Sequence, residues 1–176
     1  ADGLEDLWRA MAAGITEGDG GTHLKTYHPR GVRSSSSWFH QDAWLDFNML
    51  QTGHSLFNRN YELIAADYAL LPHKPVVDGE SAYEGITNNL AEYKPGVRLI
   101  QAEDVRRIAY GAVFAGAAGY AYGSQGVYSY QSNRKGGSNW GPNPTFREAL
   151  DRPASKQLQY LRNLIESRPM MLVRIP

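Results

Sequence analysis

Short β-forming stretches alternate with helical ones along nearly the whole chain, and this alternation limits the fold more than any other feature. Strand, helix, strand implies parallel pairing, because parallel neighbours need a crossover long enough to hold a helix. Helices are expected over 2–15, 58–70, 101–117 and 154–167, the last stopped by Pro169 before residues 170–175 leave the domain. In the first, Asp2 is placed to cap, and Leu4, Leu7, Trp8, Met11 and Ile15 recur at spacings of three and four. Asn58 or Asn60 is the expected cap of the second, and Val105, Ile108, Ala109, Ala112 and Val113 are the inward face of the third. Strands are expected over 22–27, 45–50, 75–79 and 119–123, with a helix or loop over 38–44 and a long polar loop over 124–145. Four such strands suit either a small open α/β sheet or half of an eight-stranded barrel, and residues 1–176 read as one domain.

In parallel α/β folds, sites gather at the carboxyl ends of the strands. The best candidate is Val76-Val77-Asp78-Gly79-Glu80, a short apolar strand that delivers a carboxylate to the sheet's mouth. A carboxylate there can act as nucleophile or base; capping or pairing with an arginine is the bland alternative. Glu84, four residues on, is read as a capping or supporting residue. On the preceding strand Asp46 and Asn48 share one face, and with Gln51 and His54 they form a polar row suited to a hydroxyl-rich ligand. Asp46 is read as a satisfied core residue.

His23, His28 and His54 raise the question of a metal, but strand residues five apart face opposite ways and no HExxH occurs. Neither a GxSxG elbow nor a phosphate-binding GxxxxGK[ST] loop is present. Lys plus Arg equals Asp plus Glu at 18 each, which argues against nucleic acid, and pairs such as Arg106-Arg107 and Arg134-Lys135 read as solvated surface. The chain has no cysteine, hence no disulfide or thiolate metal site, and no apolar run of membrane-spanning length. It opens at Ala1 directly into helix, without Met or a leader, so we expect a processed, excised or incomplete chain. Eleven Tyr and four Trp supply flat faces on which sugars stack, as do ordinary core neighbours.

Four segments carry a resemblance: THLKTYHPRGVRSSSSWFH, WLDFNMLQTGH, KPVVDGESAYEG and VRRIAYGAVFAGAAGYAYG. In that order they resemble the apiosidase-like glycoside hydrolases, glycoside hydrolase family 140 and its relatives, over about residues 20–170. The resemblance implies a (β/α)8 TIM barrel, with an acid closing strand four and a nucleophile closing strand seven. Counted back from the carboxyl end, the four strands here become five to eight, and Glu80 falls on the family's catalytic glutamate. The family's aspartate, in a Gly-Gly-Asp-like motif, has no match. Strands one to four and the general acid are therefore expected to lie outside this chain, and this chain alone is expected to be inactive.

Taken this way, the chain is half of a retaining glycosidase of plant or microbial polysaccharide, with apiose-containing pectin as one candidate substrate. Its partners are then the oligosaccharide or polysaccharide and the missing amino-terminal half barrel, with no cofactor, metal, nucleic acid or membrane. The expected location, from the resemblance, is bacterial and secreted or periplasmic. His28, Asn48, Gln51, His54, Tyr83 and Tyr122 are expected as the sugar-binding wall, Trp38 and Trp140 as stacking residues, and Trp44 as packing. Three alternatives stand beside this: a non-catalytic carbohydrate-binding barrel module, a metal-dependent hydrolase using the histidines, and a small complete α/β domain.

Overall fold

The computed structural model describes residues 1–133 and 139–168. The Arg134-Lys135 pair, the middle of the 124–145 loop, Pro169 and the segment 170–175 lie outside the described residues. Four strands form one sheet in chain order: β1 (Arg33–Ser34), β2 (Asn48–Gln51), β3 (Val76–Glu80) and β4 (Gly119–Tyr120). β2, β3 and β4 are parallel. Their crossovers are α3 (Asn60–Tyr68) and α4 (Ala102–Phe114), and α6 (Pro153–Glu166) packs against α4. The expected α/β alternation is therefore what the chain builds. Short helices α2 (Ser36–Phe39) and α5 (Phe146–Ala149) complete it, and no described helix is long and apolar enough to cross a membrane.

Leu50 of β2 and Val76 of β3 bury against Ile64 of α3, Ala112 of α4 and Ala117. A second cluster, Ile86, Ile100, Val105, Ile108 and Ala154, holds α4 and α6 to the segment after β3. Val105, Ile108, Ala109 and Ala112 are buried as the 3.6 period predicts, while Val113 is only partly so. Asp104 starts α4 by accepting from the Gln101 amide at 2.9 Å.

Several expectations fail for identifiable reasons. Residues 22–27 are not a ladder strand. One backbone bond reaches them, from the Asp46 N–H to the Lys25 carbonyl at 2.9 Å; beside that bond the Asp46 carboxylate takes the Lys25 amide at 2.6 Å and the Thr26 hydroxyl donates to the Phe47 carbonyl at 2.7 Å, so side chains make the other contacts. β2's outer edge is covered instead by β1, antiparallel, with Arg33 opposite Gln51. The 119–123 strand shrinks to Gly119–Tyr120. Asp2 does not cap α1 (Glu5–Asp19), which begins after Leu4, because its carboxylate accepts the Trp38 indole at 3.0 Å. Neither Asn58 nor Asn60 caps α3; both amides turn inward. The serine run is a clasp, with Ser34 and Ser36 both donating to the buried Asp67 of α3.

α1 follows its predicted period but shows its apolar stripe to solvent. Leu4, Leu7, Met11 and Ile15 are 48–55% exposed, and only Ala12 is buried. With the apolar groove of Ala118, Tyr120, Leu158, Leu161 and Ile165 between β4 and α6, two apolar surfaces lie open.

Beneath the sheet, Asp78 accepts from the Thr52 hydroxyl at 2.9 Å and the Asn60 amide at 2.8 Å. Burial pushes its carboxyl up to about 6, against the lowering effect of those two bonds. An acid raised on folding stabilises the fold below its unfolded value near 3.8, and that contribution is lost as pH rises through 6. The loss amounts to about 3 kcal/mol. Urea unfolding of the wild type and Asp78→Asn should therefore show the wild type losing ground as pH goes from about 4 to 7. A pH-independent difference between them would exclude this role.

Candidate active site

β2 and β3 pair Asn48 with Val76, Met49 with Val77 and Leu50 with Asp78, and then Gln51 with Glu80. Gly79 is left without a partner. One extra residue in a strand reverses its alternation and re-aims the side chains beyond it. Without it Glu80 would share the helix-side core with Val76 and Asp78; with it, Glu80 faces the same way as Gln51. A side chain at 79 would not fit, since a Cβ there would lie 2.6 Å from Met49 Cγ.

Two imidazoles and a phenol gather around the Glu80 carboxylate. His28 Nε2 is 3.0 Å from Oε2 and His54 Nε2 is 3.1 Å from Oε1, and the Tyr83 hydroxyl stands beside them. His28 Nδ1 lies 2.7 Å from the Pro29 carbonyl, which only accepts, so that nitrogen carries a proton. The contact from Nε2 to Glu80 then needs a second proton, on the imidazole or the carboxyl. Burial, with Glu80 beside it, raises the Tyr83 hydroxyl to about 12, so Tyr83 stays a donor. The Tyr83 ring meets His54 edge-on at 4.6 Å. It lies so close over Gly123 that a Cβ there would stand 2.0 Å from the ring.

Glu80 opens into a cleft of about 560 Å³ lined by Arg30, Gln51, His54, Tyr83, Asn89, Leu90, Tyr128 and Trp140. Arg30 and Gln51 also line an adjoining cavity of about 260 Å³ with Tyr27, His28 and Trp38. Gln51 Oε1 is buried beside it with no hydrogen-bond partner.

Of the residues picked from sequence, His28, Gln51, His54, Tyr83 and Trp140 gather around Glu80 or on its cleft. Trp38 sits in the adjoining cavity, its ring under the Arg33 guanidinium at 5.5 Å. Two choices are corrected. Asn48 is fully buried on the other face of β2, bonded to His40 at 3.2 Å, because strand alternation separates it from Gln51. Tyr122 lines the groove between β4 and α6 and donates to Glu84 at 2.6 Å, away from the Glu80 cleft. Glu84 is itself buried and accepts the Ala154 amide at 3.2 Å, capping α6. Trp44 packs on Phe39 at 5.1 Å. Arg30, Asn89, Leu90 and Tyr128 were not singled out from sequence. Only Asn89 carries a local signal, the tolerance of asparagine for left-handed backbone. Among the described residues, no group of three or more His, Cys, Asp or Glu is arranged to hold a metal ion.

Known proteins resemble this chain in sequence and fold. A family model described as "Apiosidase-like, catalytic domain" matches residues 1–172. A solved structure titled "Glycoside hydrolase" superposes with a TM-score of 0.83 at 35% identity, covering 92% of this chain and 39% of that one. A glycoside hydrolase family 5 protein from Bacteroides vulgatus superposes with a TM-score of 0.83 at 37% identity, covering 92% of this chain and 37% of its own. The chain thus spans about two fifths of the length of these solved proteins. A comparison with curated proteins found no match.

Proposed function

The chain belongs to the apiosidase-like catalytic-domain family and is a glycoside-hydrolase-like domain, and from that premise we propose that Glu80 is the nucleophile of a retaining glycosidase. The observation that carries this is a carboxylate turned by a strand bulge into a 560 Å³ cleft, held between His28 and His54 and beside aromatic rings. In this reading the chain supplies strands five to eight of a (β/α)8 barrel, with the extended 22–27 segment standing at the fifth position. The longer solved relatives and the two open apolar surfaces support that arrangement. A second carboxyl group, on strand four of the amino-terminal half barrel, protonates the leaving oxygen while Glu80 attacks the anomeric carbon. The bond between the anomeric carbon and the glycosidic oxygen breaks, its electron pair leaves with the protonated aglycone, and a glycosyl ester forms on Glu80. Water, deprotonated by the second carboxylate, then cleaves the ester and restores both groups. Such pairs stand about 5–5.5 Å apart. His28, His54 and Tyr83 orient Glu80. Gln51 and Trp140, with Trp38 in the adjoining cavity, contact the sugar.

The proposed substrate is an O-glycosidic bond in a plant or microbial polysaccharide, with apiose-containing pectin the first to try. A polymer of that kind fits a secreted or periplasmic bacterial enzyme. The test is covalent trapping. A 2-deoxy-2-fluoro glycosyl fluoride should add one sugar mass to the peptide that contains Glu80. Turnover of substrate with the label on another residue, or binding of oligosaccharide without any product, would exclude this assignment; the latter outcome marks a non-catalytic binding module.

A further inference from the structure

Asn89 and Leu90 both adopt left-handed backbone, with φ of 54° and 56°. Asparagine tolerates that region; leucine rarely does, so the surrounding contacts must impose the pair. The Asn89 backbone N–H donates to the His54 carbonyl at 2.8 Å, and the Asn88 side chain accepts the Leu56 backbone N–H at 2.7 Å. Leu90 packs against the core cluster around Ile86. The outcome is specific: Leu90 is anchored, and the exposed Asn89 stands on the wall of the Glu80 cleft. One residue joins the two, since His54 touches Glu80 with Nε2 at 3.1 Å and holds Asn89 with its carbonyl.

We infer that Asn89 is a specificity-determining residue that reads a vicinal diol of the sugar seated over Glu80. Its amide offers one donor and one acceptor side by side, which matches two adjacent hydroxyls, each able to donate and accept. Left-handed strain is retained where the surroundings fix it, and sites are a common place for it. Gln51 lines the same cleft. This inference rests on the reading of Glu80 given above and adds which part of the sugar is recognised.

The experiment uses the parent polypeptide that carries this chain with the remaining β/α units. Aryl glycosides are compared with analogues lacking one ring hydroxyl, beginning with 4-nitrophenyl β-apioside and its 2-deoxy analogue. Asn89→Gly keeps the left-handed backbone accessible and removes the amide. The wild type should prefer the intact sugar by at least about tenfold in kcat/KM, and the variant should lower that preference to within about threefold. Circular dichroism and the melting temperature should show the variant folded. An unchanged preference in a folded variant overturns the role of Asn89 while leaving Glu80 in place. Turnover that survives Glu80→Gln, or none with any glycoside in a panel, removes the reading of Glu80 and this inference with it.

Discussion

Replacing Glu80 with glutamine in the complete barrel is expected to lower turnover at least about a thousandfold, equivalent to about 4 kcal/mol of barrier. The substitution is close to isosteric, so the cleft keeps its shape. One amide oxygen can still accept from His54, which now meets the carboxylate at 3.1 Å. What disappears is the negative oxygen that bonds to the anomeric carbon, and no neighbour can replace it. Glu84 is the nearest acid in sequence on the carboxyl side, yet it is buried and committed to Tyr122 and the start of α6. Steady-state kinetics on one glycoside measure the effect, with kcat falling far more than KM changes. A variant within about tenfold of wild type would take Glu80 out of the mechanism. A second arm separates nucleophile from bystander: Glu80→Gly with added azide should yield a glycosyl azide of inverted configuration, because azide enters from the face that the carboxylate has vacated.

Glu80 was legible because a short apolar strand closed by an acid is a local pattern, and β3 forms where that pattern predicts. How Glu80 comes to face the cleft was not. Read as plain alternation, Val76, Asp78 and Glu80 share one face. The residue that breaks the alternation is Gly79, whose lack of a side chain is explained only by Met49 across the pair. The same parity explains Asn48, which a polar row in sequence groups with Gln51 but which a strand must place on the opposite face. The 22–27 segment has the composition of a strand, and whether it ladders depends on Asp46, twenty-one residues away from Lys25. Leu90 carries no sequence sign of its left-handed backbone, since contacts made by Asn88 and Asn89 set it.

The isolated chain, residues 1–176, is expected to show no glycosidase activity and to self-associate. Mixing it with a polypeptide of the four preceding β/α units should restore turnover. The sequence of α1 makes an apolar stripe, and its packing leaves that stripe half exposed. Burying the remaining surface of Leu4, Leu7, Met11 and Ile15 is worth on the order of 1 kcal/mol each. The groove between β4 and α6 adds a second apolar surface. Sheet edges and apolar faces of this kind associate with whatever fits them, including other copies of the chain. A correct partner would cover both surfaces at once and bring a second carboxyl group within reach of Glu80, so stability and activity should return together. Light scattering and a glycosidase assay across a titration of the two halves measure both. An isolated chain that is monomeric and hydrolyses glycosides would show that the acid and the covering surface are already within it, and the half-barrel proposal would have to be abandoned.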